Sequence, residues 1–423
     1  MERYILKYLQ DHTDNELVRK YIDYLKVDLD GYFYAYGENM NENYPMVRNI
    51  SLCYYASFLK RLLTVEKARA NLRGKANVLS FVPLPSTVVK QCDFNLLGSI
   101  VQPVGKEVVC SRNMIDFYFF YSRLIKGRPF NEILTVENCQ RLEDYKWRMT
   151  EEYSKYDFKA LFVGNGEPYL FKLHLDIFKE LGIPSFIFLH GIPGIYDLET
   201  EKKADYLLVW GEQIRQNYVA AGFDPERVLV IGHPRYTDVP KIVELRNDLS
   251  NVLVTTTASV SWSPHGWEAA KFPIYDRSQI VLYCCSVQTV LQKLGVKHAR
   301  LRVHPSVGKE WMMKFVDKDF FELDNAALQT SLQNSSLVIG PTSTVWLESI
   351  LAGVNYIVYE PVFDGEKKYL VPPFDGSDLF LKIAFSEIDL NEMLRDKYQV
   401  NTQICSKYIE KFSFKRVCEI LNV

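Results

Sequence analysis

From Tyr156 onward the sequence settles into a rhythm that few folds can satisfy: FKALFVGNG, a helical stretch to Leu181, PSFIFLHG, ADYLLVWG, a second helical stretch to Ala221, and then RVLVIGHP. Short apolar runs bounded by glycine or proline read as strands buried on both faces, and their alternation with helices requires a parallel sheet with right-handed crossovers. The rhythm resumes after a charged segment, Lys241 to Asn247, read as the linker region. Strands are expected there over Asn251–Thr256, Gln279–Cys284, Ala299–Val303, Ser336–Ile339 and Tyr356–Tyr359. Two such series in 423 residues imply two cores, because single hydrophobic cores stop growing near roughly 250–300 residues.

The expected fold is therefore α/β, with two Rossmann-like doubly wound domains and a cleft where the carboxyl ends of both sheets face each other. The first domain would cover 1–240, including a helical extension over Glu2–Leu29 and Ser51–Arg73, with strand signals beginning only at Asn77–Leu84. The second would cover 248–400. The last stretch, 401–423, places Ile404, Tyr408, Ile409, Phe412, Val417, Ile420 and Leu421 at helical spacing, which suits an amphipathic helix.

Composition removes several function classes. A formal net charge of -2 argues against nucleic-acid binding. The local basic run Lys60, Arg61, Lys67, Arg69, Arg73 and Lys75 reads as the solvated side of helices. The 27 Tyr and 25 Phe are mostly packing residues. Eight cysteines without a C-x-x-C pair predict no metal site and reduced thiols. No signal peptide and no apolar window of transmembrane length are seen, so the expected place is the cytoplasm, with membrane contact at most peripheral.

The chemistry-bearing residues cluster at strand ends. Gly340-Pro341-Thr342-Ser343-Thr344 follows SLVIG and precedes a helix. The hydroxyls and amides of Thr342, Ser343 and Thr344 suit a phosphate, and Ser343 or Thr344 equally suits a helix cap. Glu348, one turn on, is placed to accept from ribose hydroxyls. Arg302-Val303-His304-Pro305-Ser306 ends the strand ARLRV, with His304 able to donate to phosphate oxygen. His265, in SWSPHG, reads either as a donor contact or as a loop residue.

On the first-domain side, Gly164-Asn165-Gly166-Glu167 ends ALFV, which makes Glu167 the acid/base candidate. His190 and Asp197 follow FIFLH, while His233, Arg235 and Asp238 follow VLVI. For His233 and Arg235 a structural turn and a donor or acceptor contact both stand open.

His304-Pro305 followed by Gly340–Thr344 resembles the paired His-Pro and Ser/Thr motifs of GT-B transferases that use cytidine-nucleotide donors. Bacterial sialyltransferases, polysialyltransferases, β-Kdo transferases and CDP-glycerol polymerases are among them. The resemblance spans about Tyr156 to Pro361 and implies that these two motifs hold the donor phosphate. It also implies a C-terminal helix crossing back to the first domain, and a Gly-x-Pro-Arg segment, here Gly232 to Arg235, where the chain leaves that domain. The acidic motif of the sialyltransferases is altered here to Asn165-Gly166-Glu167.

A retaining, β-Kdo-like enzyme would need a carboxylate nucleophile, for which Asp238 and then Asp197 are the candidates. An inverting enzyme would need only Glu167. The expected activity is transfer of Kdo or a nonulosonate from a CMP-sugar to a glycan or lipid-linked glycan acceptor in bacterial surface polysaccharide synthesis, without a metal or other cofactor. Alternatives are a CDP-glycerol or CDP-ribitol polyol-phosphate transferase, a UDP-sugar enzyme of the same fold, and a non-catalytic nucleotide- or glycan-binding subunit.

Overall fold

The structure, a computed structural model, describes residues 8–37, 52–64, 66–67, 76–100, 102–104, 107–125, 130–164, 168–189, 191–193, 196, 203–233, 244–256, 278–304, 307–362 and 371–423.

Eight parallel strands form the first sheet: β1 (Glu66–Lys67), β2 (Ala76–Ser80), β3 (Phe94–Ser99), β4 (Glu107–Val109), β5 (Phe158–Val163), β6 (Ser185–Phe188), β7 (Tyr206–Val209) and β8 (Val228–Val230). Their order is β1-β4-β3-β2-β5-β6-β7-β8. The second sheet holds β9 (Val252–Thr255), β10 (Ala299–Arg302), β11 (Phe321–Leu323), β12 (Leu337–Gly340), β13 (Tyr356–Tyr359) and β14 (Ile383–Ala384), in the order β11-β10-β9-β12-β13-β14. Apart from the two-residue edge strand β1, both orders reverse direction once, between β2 and β5 and between β9 and β12. That is the doubly wound pattern, which opens a crevice beyond the strand ends at each reversal.

The strands form because consecutive residues are apolar and both faces are covered; all four residues of β12 and all four of β13 are buried. One expected strand is corrected: Gln279–Cys284 lies in a helix, Ser278–Lys293. Its buried residues, Ile280, Tyr283, Cys284, Val287, Val290 and Leu291, recur every three or four positions, the period of a helix face. A six-residue apolar window is too short to separate that period from a buried strand. The N-terminal extension is also not wholly helical, because β1 pairs in parallel with β4.

The helix Glu16–Gly37 buries Val18, Tyr21, Ile22, Leu25 and Leu29. It packs against the helices Val136–Tyr153 and Tyr169–Glu180. Asp28 Oδ2 accepts the Tyr169 amide at 2.7 Å, and the Tyr24 hydroxyl donates to Asp176. The extension is thereby fixed to the helix that follows β5. Part of the expected linker is anchored too: Leu245 is buried, and the Arg246 amide donates to Gly353 O at 2.9 Å in the second domain.

The C-terminal stretch is two short helices, Ile404–Tyr408 and Lys415–Leu421, instead of one. Between them the chain runs across the ends of β7 and β8. The Glu410 amide donates to Trp210 O and the Ser413 amide to Ile231 O, each at 2.8 Å. Gly232 has φ +73°, and a Cβ there would lie 2.5 Å from Glu410 O, so the crossing requires glycine. Beyond it Phe414, Val417 and Leu421 are buried with Val78, Val88 and Phe94 of the first domain.

Cys92 and Cys418 form a disulfide that joins this helix to the first domain. The pairing corrects the expectation of reduced thiols; the two residues are 326 apart in sequence, so spacing alone does not connect them. Two Rossmann-like domains joined by a returning C-terminal segment make the GT-B architecture. Among the described residues no helix is long and apolar enough to cross a membrane.

Candidate functional site

The two crevices are built from different materials. In the first sheet, Gly164 ends β5 beside the end of β2, where a Cβ would come within 3.0 Å of Val82 Cγ1. Glycine lets the two strand ends close on each other. In the second sheet, Gly340 ends β12 beside β9, and a Cβ there would fall 2.1 Å from both Thr255 Oγ1 and the Tyr356 hydroxyl. The Tyr356 hydroxyl donates to Pro341 O at 2.7 Å, which pins the start of the turn.

The turn itself is partly occupied. The Thr342 amide donates to Glu360, whose side chain is 9% exposed, while Thr342 Oγ1 is buried without a partner. Ser343 Oγ accepts the Val345 amide at 3.2 Å, and Thr344, the residue before the helix Val345–Leu351, makes no side-chain cap. Among the described residues the amides of Ser343 and Thr344 donate to no acceptor. Any anion at this turn would therefore meet two backbone donors and two hydroxyl-bearing side chains, with a carboxylate behind them. Glu348 sits half-buried on the next turn, where its amide bonds Thr344 O at 3.3 Å.

Across β9 from this turn stands His304. Its amide donates to Thr256 Oγ1 at 2.9 Å, and its carbonyl accepts from Val307 at 2.9 Å, so the peptide after β10 is tied to the end of β9. Burial pushes the His304 pKa down, favouring a neutral imidazole with one donor and one acceptor nitrogen. β9 lies between β10 and β12, so the two motifs are separated by two interstrand spacings, about 10 Å.

Arg302, expected to contact the donor, is bonded within its own domain. Its Nη1 donates to Asp324 Oδ1 (3.1 Å), Ala326 O (2.8 Å) and Ser331 Oγ (3.2 Å). Arg300 Nη1 reaches the other oxygen of Asp324 at 2.8 Å. Strand alternation puts Arg300 and Arg302 on one face of β10, while Leu301 and Val303 enter the core. Arg302 thus braces the side of the domain.

His233 packs edge-on against Trp210 with ring centroids 4.4 Å apart, next to the crossing C-terminal segment. Glu167, His190, Asp197, Arg235, Asp238, His265, Pro305 and Ser306 lie outside the described residues.

The domains approach each other at these ends. A Cβ on Gly191, the residue after His190, would lie 3.3 Å from Thr344 Oγ1, so the end of β6 faces the Ser343–Thr344 turn directly. Sequence reasoning missed Glu360 and Thr256. Glu360 carried the signal used for His304, a polar residue directly after a buried strand, since it follows YIVY, whereas Thr256 was read as the last residue of its own strand.

No family model matches the chain, and no curated protein matches it. Solved structures similar to it include UDP-GlcNAc 2-epimerase from Methanocaldococcus jannaschii in complex with UDP-GlcNAc and UDP, with a TM-score of 0.47 and 10% identity over 82% of this chain and 99% of that one. The Neisseria meningitidis UDP-GlcNAc 2-epimerase bound to UDP-GlcNAc has a TM-score of 0.45 and 10% identity over 82% and 98%. The wall teichoic acid polymerase TagF has a TM-score of 0.44 and 12% identity over 84% and 89%. The fold assignment rests on the two strand orders themselves.

Proposed function

We propose that the protein is a glycosyltransferase that moves a sugar from a nucleotide-activated donor held by the second domain to a glycan acceptor on the first. The observation that carries this reading is the meeting of Gly191 with Thr344, which sets the ends of two doubly wound sheets against each other around polar residues. In this reading Ser343 and Thr344 receive donor phosphate, His304 donates from a ring nitrogen, and Glu348 accepts from ribose. Glu167 then serves as acid or base on the acceptor side, with Asp238 and Asp197 as candidate nucleophiles. Arg302 drops out of the donor contacts, and Glu360 enters as the residue that orients Thr342.

The His304-Pro305 and Gly340–Thr344 pair supports a CMP-linked acidic sugar, Kdo or a nonulosonate, as donor. Bacterial surface polysaccharide is then the product class, made at the inner face of the membrane by peripheral contact. One phosphate can be held by two amides, hydroxyls and an imidazole, so binding is expected to persist in EDTA. A second reading is a diphosphate donor, a UDP-sugar or a CDP-polyol. The gap of about 10 Å between the His304 strand and the Ser343–Thr344 strand supports it, since a diphosphate spans that distance better than one phosphate.

Thermal stabilisation by CMP, CDP, UMP and UDP in EDTA separates these readings. A ligand at 100 times its Kd adds about 2.7 kcal/mol. Selective stabilisation by CMP is expected, whereas preference for the diphosphates moves the assignment to the second reading. Absence of any response removes nucleotide transfer altogether. Glu167→Gln is expected to abolish turnover while leaving nucleotide stabilisation intact; a non-catalytic subunit would show no turnover to lose.

A further inference from the structure

On the outer side of the first domain, the helices Arg112–Ile125 and Val136–Tyr153 enclose a groove of about 620 Å³. Asp116, Phe120, Arg123, Arg141, Tyr145 and Arg148 line it. Arg141, Tyr145 and Arg148 recur at helical spacing along one face, and Arg123 comes from the opposite wall. The Arg141 guanidinium sits 4.3 Å from the Phe120 ring centroid, and that of Arg148 lies 5.8 Å from Tyr145. Among the described residues Arg123, Arg141 and Arg148 form no ion pair with a carboxylate.

Asp116 is the groove's only acid among the described residues and lies 3.8 Å from Arg112. Glu137 and Asp144 line an adjoining hollow that shares Arg141, Tyr145 and Arg148 with the groove. Among the described residues the groove itself presents three guanidiniums and one carboxylate, with two further carboxylates on the far side of Arg141 and Arg148. It is concave and of small-ligand size, and its cationic planes are preset over aromatic rings. Guanidiniums match carboxylates bidentately, and ring faces beside them suit the apolar faces of pyranose sugars.

The inner side of the same helix pair packs on the helix that follows β5. Phe117 and Tyr121 pack on Tyr169, with centroids 6.3 and 5.1 Å away, and Tyr169 opens the helix that follows the segment containing Glu167.

We propose that this groove holds a carboxylate-bearing glycan chain, the distal part of an acidic polysaccharide whose end is presented to the cleft. This rests on the proposed glycosyl transfer and names its acceptor class. A concave, aromatic-lined groove fits a chain better than a flat lipid surface, which offers no ring faces to stack.

The test uses the full chain, with oligogalacturonate as probe and uncharged maltooligosaccharide as control, followed by calorimetry. Oligogalacturonate is expected to bind, more weakly as salt rises, and the control is not. The triple variant Arg123→Gln/Arg141→Gln/Arg148→Gln is expected to lose about tenfold or more in affinity, and Arg141→Lys, which keeps charge but not the planar stack, an intermediate amount.

Unchanged thermal melting and unchanged nucleotide stabilisation in the variants would show that fold and donor site are intact. Equal binding by the triple variant, no binding by the wild type, or binding to phosphatidylglycerol vesicles in place of the glycan would each overturn the proposal. Glycan binding without any nucleotide response would sink the transferase reading and leave the groove standing.

Discussion

At the carboxyl end of the second sheet, neighbouring strands are held by side-chain polar groups: Thr256 to the His304 amide, Glu360 to the Thr342 amide, and Asp324 to two arginines. At the carboxyl end of the first sheet side-chain bonds are also present, Ser80 to Val82 and Asp28 to the Tyr169 amide, but the described contacts are mainly packing, with Gly164 on Val82, Gly191 on Thr344 and Tyr169 among Tyr21, Tyr24 and Tyr121. One strand order therefore supports two kinds of rim. A polar rim is preorganised for an anion and is sensitive to charge, whereas a packed rim is sensitive to volume and to what is buried behind it.

The largest effect is expected where the polar rim is also packed tight. Gly340→Ala would drive a methyl group into Thr255 Oγ1 and the Tyr356 hydroxyl, both 2.1 Å from the new Cβ position. It should cost about 3 kcal/mol or more in urea denaturation. Gly164→Ala meets only the Val82 side chain at 3.0 Å and should cost about 1 kcal/mol. Equal costs would erase the distinction between the two rims.

Next comes the buried base of the first domain. His174 is fully buried, donates or accepts through Nε2 with the Tyr153 hydroxyl at 2.7 Å, and has its pKa pushed down to about 4 by desolvation. The unfolded chain takes up a proton near pH 6.5 that the folded chain refuses until about pH 4. Stability from this residue is therefore complete above pH 6.5 and falls by up to about 3 kcal/mol as pH drops to 4. His174→Gln should flatten that part of the stability profile measured by urea melts from pH 7 to pH 4; an unaltered slope would place the loss elsewhere.

Asp324→Ala should cost about 2 kcal/mol in the same urea assay. Its carboxylate is 2% exposed but the two arginines are 19% and 27% exposed and can recover water. The smallest effect is the most diagnostic. Glu360→Gln removes a negative charge behind the Ser343–Thr344 turn, and nucleotide affinity should rise about fivefold, roughly 1 kcal/mol. Unchanged affinity would mean that the turn does not meet the phosphate.

Residues at strand ends were legible because two properties coincide in the sequence: an apolar run of strand length, and a Gly, Pro or polar residue directly after it. That combination located His304, Gly340–Thr344 and Gly164. It failed for Gln279–Cys284, where five apolar residues belong to a sixteen-residue helix and the helical period emerges only over the longer span. It also passed over Glu360, because a lone glutamate after a strand has no distinguishing neighbour until the fold sets it beside Thr342.

The sequence by itself determined two α/β domains, the parallel sense of their strands and the strand ends at which polar residues gather, because burial on both faces and short crossovers are local properties of composition and period. Tertiary structure alone decided which strand ends are neighbours. It joined Arg302 to Asp324, paired Cys92 with Cys418, and set Gly191 against Thr344. Those outcomes depend on strand order and on backbone approach between residues far apart in the chain, and no local pattern encodes such distances.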